Sequence, residues 1–514
     1  VRAAAAGFIV IVQDVRGRFA SAGEWEPLVH EADDGYDTVE WAARQPGSNG
    51  RVGMFGLSYW GATQWLAAAA QPPSLRAIAP GLTWSDPDDG LIRRGGAREL
   101  GLGLVWALEQ GIDYVRRLDR PAEQIERRVQ GLVDELDGLE EHGFWQLPAP
   151  AAVLARHGVP GLEFTPGGGD QAGAVGGRVA AGGRVAVGGG VALARDRVRV
   201  PVLGIGGWHD AFIQGTLDNH MAMTAVGRDS QIVIGPWSHS NLSDAIGGLS
   251  FGTRARRDGG PAGGPDDVNE LQLTWFRGHL EPGPPMSAEP PGQAPVRIFV
   301  MGINRWRDES SWPPAGGSEQ RWYLRRAGEL TTSPPAPDEA ASEFTYDPAD
   351  PVPTAGGQTT ISPRWPAGPI EQADIEVRDD VLVFTSEPLA RDLEVTGRVL
   401  VFVHADSSAP STDWVARLCD VHPDGRSYGL CDGILRVATG ARETTRLQLD
   451  LWSTSNVFRR GHRVRVQVTS SCFPRWDRNL NTGDQDRPEH VPARQRIHHA
   501  TEHPSWLQVT VVDR

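Results

Sequence analysis

The sequence predicts an α/β domain, interrupted by a helical insertion and followed by an all-β domain. Three observations predict it. Short apolar runs rich in β-branched residues alternate with helical patterns over residues 1–90, as in a parallel sheet. The same alternation returns over residues 198–280. From residue 296 onward, short alternating segments separated by turns replace the helices, as in a β sandwich.

The run Phe8-Ile9-Val10-Ile11-Val12 reads as a buried parallel strand. Asp33–Arg44 reads as a helix, with Tyr36, Val39, Glu40 and Ala43 at helical spacing and acids in its first turn. Val52–Phe55 is a short strand, Ser58–Ala70 a small-residue helix and Leu75–Pro80 a further strand, completing the first part of the α/β domain at 1–87. Leu91–Arg117 and Ala122–Leu139 are helical patterns within an insertion spanning 88–197. Inside it, Gly167–Gly190 is nearly half glycine and repeats Gly-Gly-Arg-Val-Ala imperfectly. A phosphate-cradling loop needs a strand before it and a helix after it, and neither is present. The stretch is read as a flexible insertion unable to bury a core, with a frame-shifted segment of a GC-rich gene as the other explanation. Val198–Gly206 and Gln231–Gly235 are strands and Asp267–His279 is a helix, giving a second α/β part at 198–280. Glu281–Pro295 is rich in Pro and Gly and reads as a linker. The all-β domain, 296–514, carries strands at Val296–Met301, Arg321–Leu324, Val381–Thr385, Leu400–His404, Thr445–Leu451, Val464–Thr469 and Leu507–Val512.

Composition removes several functions. The 514 residues carry a net charge of −15, against the basic face that nucleic-acid binding needs. All 50 basic residues are Arg, so a phosphate loop with its Lys is excluded. No run of about 18 apolar residues predicts a membrane span. Cys419, Cys431 and Cys472 form neither a disulfide framework nor a zinc pattern, which fits a reducing, cytoplasmic setting. No H-E-x-x-H and no Cys/His cluster at ligand spacing is present, so no metal and no organic cofactor are expected.

The segment that carries chemistry is Val52-Gly53-Met54-Phe55-Gly56-Leu57-Ser58-Tyr59-Trp60-Gly61. A Ser between a strand and a helix sits on a tight turn at the carboxyl end of the sheet, where open α/β sheets bind ligands. Its second glycine falls three residues after the Ser, one more than in the usual nucleophile elbow. The Tyr59 backbone N–H is then a natural oxyanion donor. An N-capping Ser is the plainer alternative. A nucleophilic Ser needs a base, and the base an orienting acid. In the order Ser, acid, His, the candidates are Asp210 and His239, each just past its own strand. Asp86 is a rival acid. His209 should point elsewhere, and His220 reads as structural.

Several long motifs then resemble the bacterial cocaine esterase family, relatives of X-Pro dipeptidyl-peptidases and α-amino-acid ester hydrolases. They are Gln13-Asp14-Val15-Arg16-Gly17 with Phe19–Glu24, Val52–Tyr59, Gly207-Trp208-His209-Asp210 and Gly235-Pro236-Trp237-Ser238-His239. Phe299-Val300-Met301-Gly302, Tyr346–Pro353 and Ser455-Asn456-Val457-Phe458 also look like that family's jelly-roll domain. The resemblance implies an α/β-hydrolase domain with a helical cap and a C-terminal jelly-roll β sandwich. It implies Ser58 as nucleophile, His239 as base and Asp210 as its partner, and it accommodates the elbow spacing. By position, Trp106, Phe212 and Leu389 look like substrate-binding residues. Family members carry further strands and an oxyanion-donating Tyr before the run at Phe8, so the resemblance implies a truncated or mis-started, poorly active chain.

The implied reaction is acyl transfer through an acyl-enzyme on a small-molecule ester or a short peptide, with a homodimer as a further partner. Residues after Asp210 read Ala211-Phe212-Ile213, which is apolar and offers no carboxylate for a substrate ammonium. That favours esters with an aromatic or hydrophobic acyl group. The alternatives are an X-Pro dipeptidyl-peptidase and an inactive chain acting only as a sandwich binding module.

Overall fold

A computed structural model describes residues 1–142, 144, 150–159, 178–179, 185–186, 195–260, 267–281, 294–438, 444–484 and 489–513. Its first sheet has six strands: β1 (Val52–Leu57), β2 (Leu75–Gly81), β3 (Val202–His209), β4 (Ser230–Ser238), β5 (Val296–Val300) and β6 (Arg305–Glu309), side by side in that order. The first five run parallel, and β6 returns antiparallel to β5. Every residue of β3 and β4 is buried, as expected of central strands covered on both faces.

Helices α1 (Glu31–Ala43), α2 (Tyr59–Ala69), α5 (Ile213–Ala225) and α6 (Val268–Leu280) flank this sheet. Acids Glu31, Asp33 and Asp34 sit in the first turn of α1, where the helix dipole favours them. A Cβ at Gly35 would lie 2.6 Å from the Ala67 Cβ, so glycine on α1 and alanine on α2 let the two helices touch. Asp267 caps α6, accepting from the N–H groups of Asn269 and Glu270. Between the two halves stand α3 (Leu100–Arg116) and α4 (Ala122–His142), packed through Leu104, Leu108, Val115 and Leu132. Among the described residues no helix is long and apolar enough to cross a membrane.

Among the described residues from Ser318 onward, eleven strands build a β sandwich: β7 (Ser318–Arg325), β8 (Glu329–Thr331), β9 (Ser342–Tyr346), β10 (Leu382–Thr385), β11 (Leu393–Ser407), β12 (Ser411–Val421), β13 (Ser427–Ala438), β14 (Thr445–Phe458), β15 (Arg463–Thr469), β16 (Ala493–His498) and β17 (Trp506–Val511). Pairing is antiparallel except between β8 and β10. Alternate residues of β11, including Val399, Val401 and Val403, point into one core with Phe384, Leu418, Leu449 and Leu507.

Three expectations change. Phe8–Val12 is not a buried strand: Ile9 is 55% and Val12 91% exposed. A strand exists through its neighbours, and β1 is the edge of the sheet, with only β2 beside it among the described residues. The helix expected from Leu91 begins only at Leu100. A two-residue hairpin, Arg93–Arg94 with Ala97–Arg98, precedes it and turns at Gly95 and Gly96, both at positive φ. The first sheet also continues past the expected boundary at 295–296, because β5 pairs with β4 and β6 closes the edge. The Gly-rich stretch 167–190, apart from residues 178–179 and 185–186, and the linker segment 282–293 lie outside the described residues.

Candidate active site

Ser58, Asp210 and His239 each follow the last residue of a parallel strand: β1 ends at Leu57, β3 at His209 and β4 at Ser238. Parallel strands end on one edge, so three positions distant in sequence meet there. His239 Nε2 lies 3.0 Å from Ser58 Oγ, and His239 Nδ1 lies 2.7 Å from Asp210 Oδ1. With Asp210 ionised, Nδ1 carries the proton and donates to it. Nε2 is then left as the acceptor for the Ser58 hydroxyl. The Asp210 side chain is fully buried and that of His239 is 17% exposed.

The turn at Ser58 explains the unusual motif. Ser58 has φ 59° and ψ −125°, a conformation that costs a non-glycine residue roughly 1–3 kcal/mol. Its N–H donates to the Gly81 carbonyl on β2 at 2.9 Å, and its carbonyl starts α2 by accepting from Gly61 and Ala62. Gly56 has φ 153°, and a Cβ there would meet the Trp60 Cβ at 2.6 Å. At Gly61 a Cβ would meet the Thr83 Cβ at 2.8 Å and the Gly81 oxygen at 3.0 Å. Trp60, where the shorter motif would place its glycine, is instead 63% exposed. The helix crosses the end of β2 at the third residue after the Ser, and that is where a side chain cannot fit.

Tyr59 follows the Ser. As the first residue of α2, its N–H belongs to the amides that no helical carbonyl reaches. The side chain is a clamp: its hydroxyl donates to the Glu31 carboxylate and accepts from the Leu28 N–H at 3.0 Å. Burial raises the Glu31 carboxyl above the usual range. It also raises the Tyr59 hydroxyl, which therefore stays protonated as a donor.

Phe212 is buried, with its ring edge-on to His239 at 5.1 Å and to Trp84 at 5.2 Å. Trp106 lies 5.7 Å from Trp25, which lies 6.4 Å from Tyr59, so the aromatic row reaches the residue after the Ser. The Arg18 guanidinium covers Trp25 at 4.4 Å and pairs with Asp113. Leu389 does not join this group. It packs on the sandwich core, and its backbone pairs with Gly461 and His462. The rival acid Asp86 is exposed and accepts from the Asp88 N–H. His209 is fully buried beside Phe251, and His220 bonds Ser230 at 3.0 Å. Burial pushes each of these two imidazoles down to about 4. Trp25 and Glu31 escaped sequence reasoning. Glu31 stands just before the helix expected at Asp33–Arg44, and only its burial sets it apart.

Residues 1–158 and 184–241 match the model of the X-Pro dipeptidyl-peptidase S15 family. Residues 292–508 match that of the X-Pro dipeptidyl-peptidase C-terminal non-catalytic domain. A cocaine esterase from Rhodococcus sp. is 35% identical over 99% of this chain and 89% of its own. Two solved structures share the fold at 24% identity. An aminopeptidase from a marine sediment Thaumarchaeota archaeon superposes with a TM-score of 0.78 over 99% of this chain and 86% of its own. An α-amino-acid ester hydrolase superposes with a TM-score of 0.75 over 97% and 85%. The chain belongs to the cocaine esterase and X-Pro dipeptidyl-peptidase family of serine hydrolases.

Proposed function

We propose that Ser58 is the nucleophile, His239 the general base and Asp210 its orienting acid in the hydrolysis of carboxylic esters with an aromatic or hydrophobic acyl group. The observation that carries this reading is the continuous Ser58–His239–Asp210 relay at 3.0 and 2.7 Å. Ser58 Oγ attacks the ester carbonyl while His239 Nε2 takes its proton. The buried Asp210 carboxylate balances the imidazolium that forms. The Tyr59 N–H faces the charge that develops on the carbonyl oxygen, beside the positive end of α2. His239 then protonates the leaving alkoxide. Water, deprotonated in turn by His239, releases the acid from Ser58.

Support for an apolar acyl group comes from the aromatic row Tyr59–Trp25–Trp106 and from Phe212 against the base. Ala211, Phe212 and Ile213 are all buried, so the positions after Asp210 present no carboxylate to a substrate ammonium. This disfavours the X-Pro dipeptidyl-peptidase reading and the amino-acid ester reading together. Leu389, packed on the outside of the sandwich core, is withdrawn from the substrate-binding set.

The test pairs a fluorophosphonate probe with two substrate series. Capture of the probe at Ser58, lost in Ser58→Ala together with about 10⁶ of kcat, is expected. Benzoyl and phenylacetyl p-nitrophenyl esters should be cleaved faster than acetyl esters, and an X-Pro p-nitroanilide slowly or not at all. Probe capture elsewhere would overturn the site. Preference for the p-nitroanilide would overturn the substrate class.

A further inference from the structure

We infer that Asp420, His422 and His462 form a Zn²⁺ site that clips the turn between β12 and β13 to the turn between β14 and β15. Strand register brings them together. In the β12–β15 ladder Val421 pairs with Arg463 and Asp420 with Val464. The next step beyond the ladder places His422 opposite His462. Asp420 is two residues before His422, so along the extended end of β12 the two side chains fall on the same side. Their ligand atoms all lie within 4.8 Å of one another.

Individual contacts fit a nitrogen and oxygen donor set. His462 Nδ1 is 2.8 Å from Asp420 Oδ1, and His422 Nε2 is 4.0 Å from Asp420 Oδ2. The two imidazole rings lie 4.5 Å apart. Tetrahedral zinc with bonds of about 2.0–2.1 Å wants ligand atoms roughly 3.3 Å apart. Closing the trio therefore needs side-chain rotation on the order of an ångström. His422 has that freedom at the start of the 422–426 turn, its side chain 25% exposed. A metal also needs imidazoles in the neutral form. Binding requires His462 to carry its proton on Nε2, leaving Nδ1 as the ligand. The proton that Nδ1 shares with Asp420 is lost to solvent or moved to Nε2. Two His and one carboxylate leave a fourth position for water. Sequence spacing hides such a site, because its ligands come from two turns rather than one helix.

A second imidazole group on the sandwich serves as the contrast. His498 Nε2 bonds Asp406 at 2.7 Å, with the His404 and His503 rings 5.4 Å apart. There His404 Nδ1 is 2.6 Å from the Pro504 carbonyl, and the group does not converge.

The experiment is zinc titration of the chelator-treated full chain at neutral pH, by calorimetry and by competition with a chromogenic chelator. One saturable site is expected, with zinc raising the thermal unfolding midpoint. His422→Ala and His462→Ala should each weaken binding more than about tenfold. His404→Ala and His498→Ala should leave it unchanged. Absence of saturable binding, binding that survives both first substitutions, or binding lost with His404 or His498 would each overturn the site. Should a variant fail to fold, the Co²⁺ spectrum of the unaltered chain decides. Intense d–d bands of four-coordinate nitrogen and oxygen ligation support the site, and the weak spectrum of hexaaqua cobalt refutes it.

Discussion

The most crowded position of the elbow is Gly61, and Gly61→Ala tests it. The added methyl would sit 2.8 Å from the Thr83 Cβ, 2.9 Å from its Cγ2 and 3.0 Å from the Gly81 oxygen. Two of these atoms cannot move alone. The Gly81 oxygen accepts from the Ser58 N–H, so pushing it away pulls on the proposed nucleophile itself. Overpacking of this kind costs about 1–3 kcal/mol. A displacement of about 1 Å at Ser58 would cost roughly 10²-fold in turnover. The assay is kcat/KM for an aryl ester beside the thermal unfolding midpoint, with both expected to fall. Adding Thr83→Ala should recover little, because the Thr83 Cβ, the closest atom, remains. Trp60→Ala is the control. Its side chain is exposed and its Cβ is kept, so stability should stay within about 0.5 kcal/mol. Wild-type activity and stability in Gly61→Ala would refute the account of the motif.

Asp210→Asn keeps the shape and removes the charge, letting His239 take the wrong tautomer; kcat should fall by about 10³–10⁴ with little change in KM, and a loss below tenfold would remove Asp210 from the relay. Tyr59→Phe strips the hydroxyl from the buried Glu31 carboxyl and the Leu28 N–H, which should cost about 1–3 kcal/mol in urea unfolding, and an unchanged midpoint would show that the clamp is unimportant. His209 and His220 titrate near 4 when folded and near 6.5 when unfolded. Between those values the unfolded chain binds more protons, so their contribution is complete above about pH 6.5 and is lost as pH falls toward 4. Carboxyls raised by burial, Glu31 and Glu99 among them, act in the opposite direction. The specific readout is therefore a difference: His220→Gln should lose less stability than the parent between pH 7 and pH 5, and parallel pH profiles would contradict the burial argument.

Much of the candidate catalytic edge is legible in the sequence because it depends on local order. A strand, a turn and a helix read directly from Val52–Ala70, and positions just after strands in a parallel sheet must share an edge. What escapes is set by neighbours distant in the chain. Phe8–Val12 has strand composition, but no ladder forms against the β1 edge among the described residues. The Gly95–Gly96 turn is hidden in an otherwise helical pattern, because its reason is the sandwich strand β13 pressed against it. Val296–Met301 reads as a sandwich strand because β composition carries no information on which sheet will receive it. Trp25 and Glu31 lie in unremarkable contexts, and only the folded chain puts them beside the residue after Ser58.

The sandwich contacts the loop that carries Asp210, the proposed orienting acid. Gln358 donates to the Trp208 carbonyl at 3.2 Å, and Ser453 donates to Gln214 at 2.9 Å, bracketing Asp210 from both sides in sequence. Trp452 presses on Gly90, which also approaches the Ala211 carbonyl. Arg94 lies over Trp452 at 3.6 Å and donates to the Asp432 carbonyl at 2.6 Å. The Asp432 carboxylate is fully buried between Arg417 and Arg475, whose charges hold it below the usual carboxylate range. A sandwich that served only as a separate binding module would have no need of these contacts. Asp432→Asn leaves two buried guanidiniums short of a counter-charge, a loss of about 3–5 kcal/mol. If the sandwich positions the Asp210 loop, the folded fraction of this variant should also lose kcat, and its pH–rate profile should shift with the altered His239–Asp210 contact. A lower unfolding midpoint with unchanged kcat and pH profile would reduce the sandwich to a stabilising partner.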